Sequence, residues 1–222
     1  MGAAPFARDG FVVVDGVLTA AECVAIAAHI DVGDVPGSRN MLAAPWCAQL
    51  ARDVQGVAAL ALLIPEGHAA VQCTYFEKSQ ATNWLVPVHQ DLSIPVREKV
   101  PHPALSGWSL KQGTCFVQPP LDVLQQLVAV RVHLDACGLQ DGPLRVVPRS
   151  HIQGVIDADR AAAMRGAQGD VPCPAALGAA LVMRPLLLHA SSKSTGHSRR
   201  RVLHFLYAPA QLPYGLAWGD SV

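Results

Sequence analysis

The chain has 222 residues, with 17 lysines and arginines against 17 aspartates and glutamates, and so a formal net charge of zero. That balance disfavours an electrostatic binder of nucleic acid or anionic membrane, which needs a clustered basic excess to release counterions. A hydrophobic fraction of 51% with only 15% charged residues supplies a sizeable core and is too apolar for disorder.

A chain of this length suits one domain, because a single all-β barrel or sandwich commonly runs past ~200 residues, and residues 1–222 are read as one unit. No apolar run approaches the ~18–20 residues that span a bilayer. Residues 1–10 lack a charged segment followed by an apolar one, so no export signal is visible. The expected location is the cytoplasm, with no membrane or nucleic-acid partner. Cys23, Cys47, Cys73, Cys115, Cys137 and Cys173 lie at wide, irregular spacing with no CxxC pair. That argues against a zinc knuckle, a redox pair or a disulfide framework, and for small buried apolar residues.

Thr19 followed three residues later by Glu22 is a capping-box pattern, and Cys23, Ile26, Ala27 and Ile30 recur at helical spacing, so a first helix is expected over 20–30. Residues 33–36, with Gly33 and Pro36, break it. An Ala-rich stretch predicts a second helix over 45–63, interrupted near Gly56. After Pro65 and Gly67 the texture changes to short Val-, Leu- and aromatic-rich runs split by Pro and Gly, the pattern of a sheet protein. Strands are predicted over 70–77, 84–88, 127–134, 144–147, 179–183, 186–189 and 201–207. Residues 95–120 hold five of the 17 prolines and read as a long irregular insertion of the type that covers a site. Two helices followed by an antiparallel double sheet is the expected architecture.

A His and an Asp two apart on a strand point to the same face, which suits a metal. Composition alone gives about half such a pair per chain by chance, and three occur: His29/Asp31, His89/Asp91 and His133/Asp135. His29 and Asp31 end the first helix, where a His interacts favourably with the dipole and an Asp can cap the next segment. His133 and Asp135 end a strand on which Arg131 shares their face, reading as a structural ion pair or a pocket wall. His89 and Asp91 end a strand before the irregular insertion, so they would face a lid. A third ligand decides between the pairs. Leu186, Leu187 and Leu188 run into His189, followed by Ser191 and then Arg199, Arg200 and Arg201. Two His and one carboxylate on one face of a metal leave positions open, as in non-haem iron(II) oxygenases. An arginine fork holds a carboxylate through two parallel hydrogen bonds.

HQDL at 89–92, DGPLRVVPRSH at 141–151, HAS at 189–191 with Arg200 eleven residues after the His, and FARDGFVVVDGVLTAAEC at 6–23 together resemble the phytanoyl-CoA dioxygenase family. The resemblance spans nearly the whole chain. It implies a mainly β fold with N-terminal helices around a double-stranded β-helix, the cupin-like jelly roll. It also implies Fe(II) held by His89, Asp91 and His189, with 2-oxoglutarate and dioxygen as co-substrates. Arg200 would pair with the C5 carboxylate of 2-oxoglutarate, with Ser191 as a hydroxyl partner. Arg199 and Arg201 are its rivals, but an inward face reading Arg200, Val202, His204 and Leu206 would turn them outward. Arg131 and Thr74 fall where the family touches 2-oxoglutarate, and their alternative is an interior polar group that is merely paired. Arg131, where some members have Trp, would bind either 2-oxoglutarate or a substrate carboxylate.

Arg149 stands where the family's turn has Gly, which suggests that the turn needs no positive φ. His133, His151 and His197 are read as structural. The activity implied is hydroxylation of an unactivated carbon of a small-molecule metabolite, with release of succinate and CO2. Asp91 disfavours the halogenase variant, in which a small residue replaces the carboxylate. Alternatives are a desaturase or cyclase using the same chemistry, a non-catalytic jelly-roll binding protein, and a zinc hydrolase, which would leave Arg200 unexplained. Trp84, Trp108, Lys111 and His204 are candidate pocket residues.

Overall fold

In the computed structural model, which describes residues 2–31 and 37–222, two antiparallel sheets face each other. The first has six strands in the order Phe11–Val14, Ala180–Met183, Val128–His133, Arg200–Pro209, His68–Lys78 and Gly37–Ser38. The second has four, in the order Val171–Cys173, Leu144–Val146, His189–Ser191 and Val86–His89. Non-sequential neighbours in both sheets make this a jelly-roll core.

Period-two alternation gives the six-stranded sheet two different faces. On the inner face Ala129, Leu181 and Met183 pack with Leu144, Val146 and Cys173 of the second sheet. On the outer face Val130, Val132, Val182, Leu203, Phe205 and Tyr207 pack with Cys23, Leu50 and Val54 of the helices. The first predicted helix forms as Ala20–Ala28 with the expected capping box, Glu22 N donating to Thr19 Oγ1 at 3.2 Å. The second runs Pro45–Gly56 and resumes as Ala58–Ala61, broken at the extended residue Val57 beside the predicted Gly56. The predicted break at 33–36 lies outside the described residues.

Three expectations need correction. Residues 95–120 are not irregular: Ile94–Val96, Thr114–Gln118 and Ser106–Lys111 form a three-stranded sheet. Pro95 is accommodated because its strand is an edge strand, where a missing N–H costs no ladder bond. The run predicted as a strand over 186–189 is a buried turn, with Leu187 N donating to Arg184 O, and the strand begins only at His189. Leu186, Leu187 and Leu188 each enter a different apolar cluster, which a two-sided strand does not permit. Gln90 and Ser150 side chains satisfy the backbone of the turn at Leu186 O and Leu188 N. Finally, Arg149 does adopt a positive φ of 67°, so the turn keeps its left-handed residue without a glycine.

The helices Ala3–Asp9 and Ala158–Gln168 and the short strands Phe11–Val14 and Val171–Cys173 are additions to the expected elements. Among the described residues no helix is long and apolar enough to cross a membrane. The six cysteines are free thiols and five of them are buried.

Candidate metal and co-substrate site

His89 and His189 occupy adjacent strands of the four-stranded sheet and are direct cross-strand partners. Both imidazoles therefore leave the sheet on one face, and their ring centroids lie 4.2 Å apart. Asp91 follows the strand Val86–His89 in an extended segment whose backbone N–H donates to Pro185 O at 2.9 Å, clipping it to the turn before His189. Asp91 Oδ1 lies 3.7 Å from His89 Nε2 and Oδ2 lies 3.6 Å from His189 Nε2. One donor atom from each residue falls within 4.8 Å of the others.

The backbone fixes the tautomers. His89 Nδ1 is 2.8 Å from Pro87 O, and His189 Nδ1 is 2.8 Å from Leu187 O. A carbonyl can only accept, so each Nδ1 carries the proton and each Nε2 presents a lone pair to the shared point, as a metal-ligating imidazole must. Burial acts to raise the Asp91 carboxyl, but His189, His204, His89 and Arg131 outweigh it and hold the group below its ordinary range. Burial keeps His189 low and pushes His204 down to about 4, so both rings are neutral at physiological pH. Two imidazoles and one ionised carboxylate fit a divalent iron with open positions.

These donors form one wall of a cavity of about 450 Å³ between the sheets. The opposite wall is set by register. His204 lies opposite Thr74 on one side and Arg131 on the other, and Arg200 lies opposite Lys78. Arg200, His204 and Leu206 line the cavity, as the expected alternation requires, whereas Val202 of the same expected face is fully buried and does not line it. Arg199 and Arg201 turn away, to Glu77 at 2.7 Å and Asp135 at 2.7 Å.

Arg200, Arg131 and Lys78 are all buried, at 3%, 6% and 1% exposure. Among the described residues none of them forms an ion pair with a carboxylate. Arg200 donates from Nη1 to Gly142 O, while its Nε has no partner among the described residues. A Cβ on Gly142 would meet Ser192 O at 2.5 Å, and this close packing brings the Gly142 carbonyl to Arg200. Lys78 Nζ donates to Ser191 Oγ at 2.5 Å and to Ser192 O at 2.6 Å. The Arg131 guanidinium lies 5.2 Å over the Phe76 ring, and Thr74 Oγ1 accepts from Gln72 at 3.0 Å. Burial, then Arg200 and Arg131, pushes Lys78 down to about 7, and burial, then Arg200, pushes Arg131 down to about 9. Buried cations without anions are costly, so the cluster suits an anionic ligand across the cavity from the three donors.

Every residue expected at the site, namely His89, Asp91, His189, Arg200, Ser191, Arg131 and Thr74, lines this one cavity. Trp84, Lys111 and His204 also line it. Trp108 does not, because it packs against a separate apolar cluster that includes Ile94 and Val117. His133, His151 and His197 lie outside it. His29 caps its helix and stacks on Trp46 at 5.6 Å, and Asp135 pairs with Arg201 rather than with His133 or Arg131. Lys78 escaped the sequence reading because the predicted strand stopped at Glu77. Extending the inward alternation of Thr74 and Phe76 by one step would have found it.

In comparisons with known proteins, no curated sequence matches the chain. Solved structures share its fold. EctD from S. alaskensis in its apo form superposes with a TM-score of 0.69 at 19% identity, covering 97% of this chain and 82% of that one. The α-ketoglutarate-dependent carbocyclase SnoK from nogalamycin biosynthesis gives 0.70 at 15% identity, covering 99% and 91%. HygX from Streptomyces hygroscopicus, solved with nickel and 2-oxoglutarate bound, gives 0.62 at 18%, covering 98% and 94%. The family profile of phytanoyl-CoA dioxygenase (PhyH) matches residues 6–202. The chain thus belongs to the phytanoyl-CoA dioxygenase family, whose members are non-haem iron oxygenases that use Fe(II), 2-oxoglutarate and dioxygen.

Proposed function

We propose that His89, Asp91 and His189 hold Fe(II), and that Arg200 binds the C5 carboxylate of 2-oxoglutarate with Ser191 and Lys78 as further donors. Arg131 and Thr74 line the remainder of the co-substrate site. The reaction is hydroxylation of an unactivated carbon of a small metabolite by the chain acting as one catalytic domain in the cytoplasm. The observation that carries this reading is the facing of a His-Asp-His donor set by buried cations that pair with no carboxylate among the described residues. A zinc hydrolase would account for the donors and leave those cations without a role.

When bound, iron and 2-oxoglutarate couple dioxygen to C–H hydroxylation: one oxygen atom enters the substrate, the other enters succinate, and CO2 leaves. The protein's own part is positional and electrostatic. Pro87 O and Leu187 O hold the two imidazoles by their Nδ1 protons, so neither ring can rotate away without losing a hydrogen bond. Arg200, fixed at its far end by Gly142 O, neutralises the distal carboxylate and sets the depth at which the co-substrate sits. Phe76, Leu206 and Met183 line the cavity beside it and limit water near the reacting centre.

Protein purified without oxygen should contain iron. With 2-oxoglutarate and a panel of metabolites it should form succinate in a substrate-stimulated manner, and zinc without succinate formation would overturn the reading. Arg131→Leu separates two roles: loss of substrate binding with 2-oxoglutarate binding retained assigns Arg131 to the substrate, and the reverse assigns it to the co-substrate.

A further inference from the structure

We propose that the primary substrate carries an anionic group, a carboxylate or a phosphate, held at the cavity mouth by Arg39 and Lys111. The inference rests on the iron and 2-oxoglutarate reading of the site and names the substrate class for it.

The first observation is charge segregation. The chain as a whole is neutral, yet among the described residues the cavity is lined by Arg39, Lys78, Lys111, Arg131 and Arg200 against the single carboxylate of Asp91. Iron(II) and the 2-oxoglutarate dianion cancel each other, so loading the site leaves this excess of positive charge in place. That surplus favours an anionic group on the ligand still to be bound, the substrate.

The second observation is where the surplus lies. Arg200, Lys78 and Arg131 are buried at the inner end, whereas Arg39 is exposed and Lys111 is half-buried. The two outer cations are brought together by specific bonds. Gln112, next to Lys111, accepts from Arg39 N through Oε1 at 2.7 Å and from Asn40 Nδ2 through its backbone carbonyl at 2.9 Å. Thr114 Oγ1 donates to Asn40 Oδ1 at 3.1 Å. The turn after the strand Ser106–Lys111 is thereby docked on the segment 38–40, and one cation projects from each side of the seam. Among the described residues neither forms an ion pair with a carboxylate. Burial and the neighbouring Arg39 lower the Lys111 ammonium and outweigh the opposing pull of the Asp91 carboxylate, as expected for two cations that converge.

The third observation is the wall beside them. The Lys111 ammonium lies 4.8 Å over the Phe116 ring, and Leu92 and Trp84 also line the cavity. A charged group between Arg39 and Lys111 would leave the rest of a small ligand against this apolar surface, directed towards the three metal donors. Arginine and lysine together accept either a planar carboxylate or a tetrahedral phosphate.

The test uses benzoate and phenyl phosphate as probes, each beside its uncharged counterpart, benzamide and phenol. Binding is measured by calorimetry on protein loaded with manganese(II) in place of iron and with 2-oxoglutarate. Benzoate or phenyl phosphate should bind and the uncharged compounds should not, with the tighter of the two acids showing whether the site prefers carboxylate or phosphate. The doubly substituted Arg39→Gln, Lys111→Gln protein should bind the preferred acid about tenfold or more weakly, while 2-oxoglutarate affinity stays within about twofold, as for outer charges that do not touch the co-substrate. Equal binding of the uncharged compounds, no binding of either acid, or unchanged affinity in the double variant would each overturn the proposal and leave the 2-oxoglutarate reading intact. Failure of the wild-type protein to bind 2-oxoglutarate would overturn that reading and the proposal together.

Discussion

Replacing Arg200 with Met should weaken 2-oxoglutarate binding without destabilising the free protein. The guanidinium is buried, donates to Gly142 O, has an unpartnered Nε and meets no carboxylate of the described protein. If it binds the distal carboxylate of 2-oxoglutarate, its loss removes one partner of a buried charge pair, which costs ~2–5 kcal/mol. That corresponds to a rise in Kd of about 30- to 5,000-fold, towards the lower end because Lys78 and Arg131 remain nearby. The free protein, by contrast, loses an unpaired buried cation and one hydrogen bond, and Ser191 Oγ remains 3.1 Å from the vacated Gly142 carbonyl. Its stability should therefore stay within ~1 kcal/mol of wild type or rise. Calorimetric titration of the manganese(II) protein gives the first quantity, and urea denaturation without ligand gives the second. An unchanged Kd would refute the assignment. So would a loss of more than ~2 kcal/mol from the free protein, because that is the signature of a structural charge whose partner has been stranded. Arg201→Met is the control: it strands Asp135, paired at 2.7 and 2.8 Å, and should lower stability without touching 2-oxoglutarate affinity.

Burial beside Arg200 and Arg131 pushes Lys78 down to about 7, and a dianion bound beside it should restore the proton. Affinity for 2-oxoglutarate should thus fall as pH rises above about 7, binding should take up a proton, and Lys78→Met should flatten the profile; a wild-type profile that is already flat would remove Lys78 from the site. In the free protein the same shift has the opposite sign: the lysine is neutral in the fold but charged in the unfolded chain between about 7 and 10.5, so stability should rise with pH across that window. Ser191→Ala removes the acceptor for Lys78 Nζ and should weaken 2-oxoglutarate by ~1 kcal/mol, read as a roughly fivefold rise in Kd. Arg149 holds a φ of 67°, so Arg149→Gly should stabilise the fold by ~1 kcal/mol in thermal denaturation, and a loss would mean that the arginine side chain contributes more than its backbone strain costs.

What the sequence made legible depended on whether local pattern and tertiary contact agreed. Thr19 and Glu22 announced a helix start because the cap is a contact within one turn. The alternation of Arg200, Val202, His204 and Leu206 was readable because a strand buried against two different layers imposes a strict period of two. The run Leu186 to Leu188 misled for the opposite reason: it is apolar because it is buried on three sides, and its backbone is satisfied by Gln90 and Ser150 from distant segments. The prolines of 95–120 hid a sheet because two of its three strands lie at edges, where Pro95 is tolerated. The helix Ala158–Gln168 buries only Ala161 and so shows no apolar stripe, leaving its Asp157 and Gly169 caps as the local signals. His89, Asp91 and His189 could be named from strand ends and family resemblance, but the cross-strand pairing that brings the two imidazoles to 4.2 Å belongs to register, which the sequence does not display. The docking of Gln112 on Arg39 and Asn40 is likewise a long-range contact between segments that carry no motif.

The central claim is that one His-Asp-His centre couples 2-oxoglutarate to oxygen chemistry. It is tested most directly by following succinate formation and oxygen consumption with iron and 2-oxoglutarate in the wild-type protein and in Asp91→Ala. The account predicts succinate and oxygen uptake in equal amounts for the wild type, and loss of both, together with bound iron, for the variant. Undiminished succinate formation by Asp91→Ala, or none by iron-loaded wild type that demonstrably binds 2-oxoglutarate and an oxidisable substrate, would contradict it.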